Sequence, residues 1–160
     1  GATGLKTGTT SKAGHCLSAS AERDGLHLIA VVMGAENSPD RFEGAKAMLN
    51  WGFANYSLYH YEAGESGDIA VLGGTERICQ TEYSDFYTVV PKGKAGKVVV
   101  ECELVSSLSA PVKAGDKAGS IKFTLDGETI GETDIVTVAD ISRLSFGEFL
   151  WRMIKNFCIA

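Results

Sequence analysis

The sequence lacks any run of about 18 apolar residues, the length that a membrane-spanning helix requires. It also lacks an excess of basic residues, since 15 Lys and Arg stand against 20 Asp and Glu, for a formal net charge of −5. Nucleic-acid binding normally requires a basic face. We therefore expect neither a membrane-spanning helix nor a nucleic-acid partner.

Cysteine is scarce, and its positions do not form a metal-binding motif. Cys16, Cys79, Cys102 and Cys158 share no C-x-x-C or Cys/His spacing, so the sequence predicts no metal site and no cofactor. Cys79 and Cys102 could pair if they lay on neighbouring strands. Buried free thiols are the favoured interpretation, because a free cysteine commonly packs as a small hydrophobic residue.

The first third of the chain predicts three antiparallel strands followed by a helix. Residues 14–22 and 26–34 read as strands around an Asp24-Gly25 hairpin turn, and the opening stretch adds a third strand. Ser38-Pro39-Asp40 offers an N-cap with proline in the first turn, and Gly52 and Asn55 mark the helix end. An apolar stripe at helical spacing is expected to pack on the sheet: Phe42, Ala45, Met48, Leu49 and Phe53.

Beyond residue 58 the chain changes to short β-rich runs separated by Gly, Pro, Asp and Lys, which predicts a small all-β sandwich or barrel. The runs are D-I-A-V-L-G-G, F-Y-T-V-V-P-K-G, K-V-V-V-E-C-E-L-V, G-S-I-K-F-T-L-D-G and E-T-D-I-V-T-V-A. The predicted class is α+β. We expect domains over residues 1–58 and 59–140, and a tail over 141–160.

The tail predicts an amphipathic helix. Its apolar residues recur on one helical face, and Glu148 and Arg152 have the i,i+4 spacing of an ion pair. The face consists of Phe146, Phe149, Leu150, Met153, Ile154 and Phe157. Two interpretations stay open, because soluble helices show the same pattern. The helix either docks on the β domain or lies in a membrane surface, with Trp151 near the headgroups.

The stretch G-L-K-T-G-T-T, Gly4–Thr10, is the candidate site. On a strand, Lys6 and Gly8 share one face and Thr7 lies on the other. Glycine at such positions lets a ligand approach the main chain closely. The segment can therefore offer an ammonium, a hydroxyl and main-chain groups to an anionic, peptide-like ligand.

The order and spacing of several motifs resemble the end of the penicillin-binding domain of serine D-alanyl-D-alanine carboxypeptidases, the low-molecular-mass penicillin-binding proteins. These motifs are G-L-K-T-G, A-G-x-C-L-x-A-x-A, R-D-G-x-x-L-I-A-V-V-x-G, and an Arg opening a helix that closes on L-x-W-G-F. The β-rich segment and the amphipathic tail are also similar to this family, so the resemblance covers essentially the whole chain. It implies a penicillin-binding, β-lactamase-like domain followed by an all-β domain and an amphipathic helix.

The resemblance also implies an activity: removal of the terminal D-alanine from peptidoglycan stem peptides ending in D-Ala-D-Ala, through an acyl-enzyme that β-lactams also form. By this resemblance the K-T-G catalytic motif is Lys6, Thr7 and Gly8, with Lys6 contributing positive charge. Thr7 would bond the substrate carboxylate, and Arg41 would support its recognition. Main chain around Thr9 would line the substrate and supply an oxyanion-hole N–H.

The sequence departs from the family pattern in one respect, because no S-x-x-K followed by S-x-N occurs in it. In the family both motifs precede K-T-G. We therefore expect this chain to be inactive alone and to act with an N-terminal part of the same enzyme, at the outer face of the bacterial cytoplasmic membrane. The alternative is a non-catalytic β module that positions something at a membrane surface or on a protein. No acidic spacing nominates a catalytic triad for His15, His27 or His60.

Overall fold

The computed structural model describes the backbone of residues 1–158 and the side chains of residues 1–155. Its elements confirm the predicted α+β class. In chain order they are β1 Ala2–Thr10, β2 Gly14–Arg23, β3 Leu26–Ala35, α1 Ser38–Asn55, β4 Tyr56–Tyr61, β5 Gly64–Leu72, β6 Ile78–Tyr83, β7 Phe86–Pro91, β8 Val99–Leu104, β9 Ser107–Ser109, β10 Lys117–Leu125, β11 Glu128–Thr137 and α2 Phe146–Cys158.

These elements group into two compact units. The first unit comprises Gly1–His60 and Tyr87–Lys97, and the second comprises Tyr61–Phe86 and the chain from Val98 onward. The β7 run, expected among the β-rich segments, pairs with β4 in a two-stranded sheet. The domain limits at residues 58 and 140 stay a prediction.

The first unit contains an antiparallel sheet in the order β1-β2-β3, which confirms the three predicted strands. The turn between β2 and β3 has Asp24 at φ 51° and Gly25 at φ 77°. A two-residue type I′ turn requires positive φ at both positions, and Asp-Gly tolerates this geometry. The resulting register places Thr7 opposite Leu17 and Thr9 opposite His15.

Helix α1 begins one residue earlier than predicted. Its N-cap is Asn37, whose Oδ1 accepts a hydrogen bond from the Asp40 amide at 2.9 Å, so the assignment of the cap to Ser38 is wrong. Asparagine is among the best N-cap residues, and the Ser38 hydroxyl instead accepts from Arg41. The helix ends at Asn55 as predicted.

Helix α1 covers one face of the sheet. Ala45 and Phe53 are buried in two clusters with residues of β2 and β3, while Phe42 and Met48 of the predicted stripe stay 40% and 45% exposed. The other face of β3 carries large apolar side chains that are more than half exposed: Ile29, Val31 and Met33. Within the described residues, this sheet therefore has one covered and one open face.

The second unit is built on a six-stranded sheet in the order β8-β10-β11-β6-β5-β9. Neighbouring strands of this sheet pair antiparallel, except for β5 and β9, which pair parallel. The fully buried ring of Phe123 stacks on Phe86 at 4.1 Å and meets Tyr61 edge-on at 5.2 Å. Every β-rich run named above contains a strand. Sequence analysis missed β4, β6 and β9.

The cysteines with described side chains are free thiols. Cys79 is buried, whereas Cys16 is half-buried and Cys102 is exposed on β8. The prediction of a buried thiol is therefore right for Cys79 and wrong for Cys102. The side chain of Cys158 lies outside the described residues.

Helix α2 is capped by a reciprocal pair. The Ser145 hydroxyl accepts from the Glu148 amide, and Glu148 Oε2 accepts from the amide and hydroxyl of Ser145 at 2.9 and 2.7 Å. The hydroxyl bond is the main cause that lowers the pKa of Glu148. The charge of Arg152 also contributes to lowering the pKa of Glu148, so the two residues interact electrostatically as their spacing predicted. The hydrogen bonds of Arg152 go to the carbonyl oxygens of Gly74 and Thr75.

On the apolar face of α2, Phe146 is 80% exposed, and Phe149, Leu150, Met153 and Ile154 are 45–51% exposed. Trp151, outside this face, is 69% exposed. Phe157, predicted on this face, lies outside the described side chains. Among the described helices, none is long and apolar enough to cross a membrane.

Gly119→Ala is expected to destabilise the second unit. The residue lies opposite Leu104 of β8, and an added Cβ would overlap the carbonyl oxygen of Glu103. Overpacking against backbone typically costs about 1–3 kcal/mol of unfolding free energy. Denaturant unfolding measures the loss. Gly96→Ala is the matched control, because nothing lies within 4 Å of its added Cβ. Equal stability of the two variants would contradict this packing.

Candidate active site

The K-T-G residues lie on β1, an outer strand of the first unit's sheet in the described chain. Lys6 and Gly8 are exposed and Thr7 is half-buried, and Lys6 Nζ donates to the Thr7 carbonyl oxygen at 3.1 Å. Nothing lies within 4 Å of the point where a Cβ on Gly8 would sit. The strand therefore presents an ammonium and open main chain side by side.

A shallow groove of about 260 Å³ runs beside this strand. Lys6, Thr7 and Gly8 line it, together with residues of β2 and β3 that include Ser18 and Met33. The groove lies where the antiparallel pairing places Lys6 opposite Ser18.

Arg41 reaches β1 from the first turn of α1. Its NH1 nitrogen lies 3.3 Å from the Gly8 carbonyl oxygen, from Thr9 Oγ1 and from the Cys16 carbonyl oxygen, and its NH2 donates to Ser38 Oγ at 3.0 Å. The structure thus brings together three of the predicted site residues, Gly8, Thr9 and Arg41. In the described chain, the hydrogen bonds of Arg41 do not include Lys6 or Thr7.

The Arg41 guanidinium is a buried charge with neutral partners. The residue is only 9% exposed, and its hydrogen-bond acceptors are carbonyl and hydroxyl oxygens. Its Nε is buried without a hydrogen-bond partner among the described residues. NH1 carries two protons for three acceptors. Burying a cation without an opposite charge is unfavourable, so this position favours an anion such as a carboxylate.

Two side chains of this site were not singled out from the sequence. Ser38 was assigned to helix capping, and His15 was not assigned a role, although its Nδ1 lies 3.3 Å from Thr9 Oγ1. The i,i+3 spacing of Ser38 and Arg41 on a helix was the available signal for the first. For the second, the signal was the short turn that sets Thr9 opposite His15.

Metal ligands do not cluster in this part of the chain. Across the residues that the structure describes, no group of three or more His, Cys, Asp or Glu side chains could hold a metal ion.

Comparison with protein families gives two matches. The model described as "Penicillin-binding protein 5, C-terminal domain" matches residues 60–143, which is more than half of the chain. The model described as "D-alanyl-D-alanine carboxypeptidase" matches residues 1–37, which include the K-T-G strand.

Individual proteins agree with these matches. The D-alanyl-D-alanine carboxypeptidase DacA of Haemophilus influenzae is 33% identical over 153 residues, covering 92% of this chain and 39% of that protein. DacA of Escherichia coli is 32% identical over 147 residues, covering 89% of this chain and 36% of that protein. The crystal structure of penicillin-binding protein 5 from Haemophilus influenzae superposes with a TM-score of 0.74 at 34% identity, covering 86% of this chain and 42% of that one. The chain thus spans about two fifths of the length of these relatives.

Arg41→Met is expected to lower the free energy of unfolding by roughly 1–3 kcal/mol, because it removes the part-buried hydrogen bonds that join α1 to β1 and β2. Denaturant unfolding with the Met variant measures this loss. Lys46→Met is the matched control, since Lys46 is an exposed cation on the same helix that pairs with Glu43 at 3.7 Å. An Arg41→Met variant as stable as the control would refute the described network.

Proposed function

The chain belongs to the family of the penicillin-binding protein 5 C-terminal domain, and on that premise we propose that it is part of a serine-type D-alanyl-D-alanine carboxypeptidase. Its substrate is a peptidoglycan stem peptide ending in D-Ala-D-Ala, and its site also binds β-lactams. The relatives that carry this name in Haemophilus influenzae and Escherichia coli support the assignment. The enzyme acts outside the cytoplasm, where peptidoglycan lies.

The observation that carries this proposal is the buried Arg41 guanidinium beside the K-T-G strand, without an opposite charge among the described residues. A carboxypeptidase must recognise the free carboxylate next to the bond that it cleaves. A preformed cation held by neutral oxygens attracts such a group without having to break an existing ion pair.

In the proposed mechanism, a serine hydroxyl attacks the carbonyl of the penultimate D-alanine. The tetrahedral intermediate then collapses: its peptide C–N bond breaks, and the terminal D-alanine leaves as its amine takes up the proton that the serine lost. This leaves an acyl-enzyme ester, which water hydrolyses to free the serine. The Lys6 ammonium raises the positive potential of the site, and the Thr7 hydroxyl bonds the substrate carboxylate with the support of Arg41. Gly8 keeps the strand open to the substrate, and the Thr9 main chain supplies one N–H to the oxyanion.

The nucleophile must come from another segment, since the sequence contains no S-x-x-K or S-x-N motif. We propose that an N-terminal part of the same enzyme provides it. The same part would cover the open face of β3, where Ile29, Val31 and Met33 are exposed. Such large exposed apolar patches are characteristic of contact surfaces.

Fluorescent penicillin tests the proposal. The full-length protein is expected to become covalently labelled, and Lys6→Ala is expected to slow labelling by about 10- to 100-fold, the effect of losing a charged hydrogen-bonding group. The labelling rate is read from gel fluorescence. Lys97→Ala, which removes an exposed lysine elsewhere in the first unit, should label like the wild type. A wild-type protein that does not label, or a Lys6→Ala variant that labels normally, would refute the proposed role.

We also propose that residues 145–160 contact the outer face of the cytoplasmic membrane. The exposed Phe146 and Trp151 side chains on the amphipathic α2 support this placement. The alternative of a non-catalytic positioning module would use the same surface. It differs from the enzyme in forming no covalent penicillin adduct.

Liposome flotation tests the membrane contact. A Phe146→Ser, Trp151→Ser double variant is expected to lower the bound fraction at least about tenfold, because two large apolar side chains no longer enter the lipid. Trp51→Ser is the control, since Trp51 is a similarly exposed tryptophan of the first unit. Equal flotation of the double variant and the wild type would exclude this surface.

A further inference from the structure

One hydroxyl in the site lies between two nitrogen atoms. Thr9 Oγ1 is 3.3 Å from Arg41 NH1 and 3.3 Å from His15 Nδ1. Thr9 and His15 stand directly opposite each other in the β1–β2 ladder, so the backbone fixes this pairing. His15 is half-buried. An imidazole is thus connected to the buried guanidinium through a single hydroxyl.

The direction of the hydrogen bonds follows from what each group can do. A guanidinium can only donate, so Thr9 Oγ1 accepts from Arg41. The hydroxyl proton remains available, and Nδ1 accepts it in the His15 tautomer that carries its proton on Nε2. This bond holds the hydroxyl with a lone pair directed at Arg41.

We propose that His15 is a positioning residue for the carboxylate pocket. It fixes the Thr9 hydroxyl as an acceptor for Arg41 NH1 and thereby fixes the orientation of the guanidinium towards the substrate carboxylate. This inference rests on the proposed function, because it assigns the Arg41 pocket to the terminal carboxylate. His15 does not touch the substrate and takes no part in the bond-breaking steps.

The crowding around NH1 explains why one hydroxyl matters. The two protons on NH1 are shared among three acceptors, each 3.3 Å from NH1: the carbonyl oxygens of Gly8 and Cys16, and Thr9 Oγ1. The carbonyl oxygens are fixed by the strands, whereas a threonine hydroxyl proton can rotate. Without His15, that proton can rotate to a neighbouring carbonyl oxygen, which turns the hydroxyl lone pairs away from NH1 and leaves the guanidinium without a defined partner at this position.

The test compares two thioester substrates of the full-length enzyme. Both are acyl-D-alanyl thioesters, and the leaving group of one ends in a free carboxylate while that of the other ends in a methyl ester. His15→Phe is expected to raise KM for the carboxylate substrate roughly three- to tenfold, the effect of losing one neutral hydrogen bond. Its kcat, and both constants for the methyl ester, should stay near the wild-type values.

His15→Asn is the conservative variant, because its side-chain oxygen can accept a proton near the position of Nδ1. For this variant we expect the KM for the carboxylate substrate to return close to the wild-type value. His27→Phe is the control, since His27 is an exposed histidine of the same sheet that contacts Glu22 at 3.4 Å. This variant should behave like the wild type.

Each outcome decides one of the two proposals. A selective rise in KM for the carboxylate substrate, reversed by Asn, supports the positioning role. An equal loss on both substrates, or no change, overturns that role and leaves the proposed function intact. A wild-type enzyme that hydrolyses neither substrate and does not react with penicillin overturns the proposed function, and this inference with it.

Discussion

The buried guanidinium of Arg41 is the contact on which the candidate site depends. It joins the first turn of α1 to the end of β1 and to β2 through oxygens of Ser38, Gly8, Thr9 and Cys16. Because these partners are neutral, the charge is held in place without being cancelled. The same contact therefore fixes the end of the K-T-G strand and creates a position that favours an anion.

The rest of the first unit makes this contact possible. The Asp-Gly turn sets the register of β2 and β3. The buried Ala45 and Phe53 pack α1 against one face of the sheet. Asn37 fixes where the helix begins and so places Arg41 in its first turn. The open face of β3 and the absence of a nucleophile motif agree with a chain that spans about two fifths of its relatives.

Much of the fold could be predicted because its signals are local. The Asp24-Gly25 turn, the strands beside it and the amphipathic pattern of α2 each depend on residues that are close in sequence. Other features depend on competition or on distant partners. Asn37 and Ser38 are both good caps. In the structure Asn37 accepts from the Asp40 amide, while the Ser38 hydroxyl accepts from Arg41. Strand β9 has three residues and gains its definition from parallel pairing with β5.

The sequence by itself determined the K-T-G segment, the class of the fold and the family resemblance, because residue types and spacings carry them. Only the tertiary structure decided that Arg41 is buried among neutral oxygens of β1, β2 and α1. The physical reason is distance along the chain. Arg41 lies 32 residues from Thr9, and the burial of a charge depends on how the helix packs on the sheet, which no local pattern specifies.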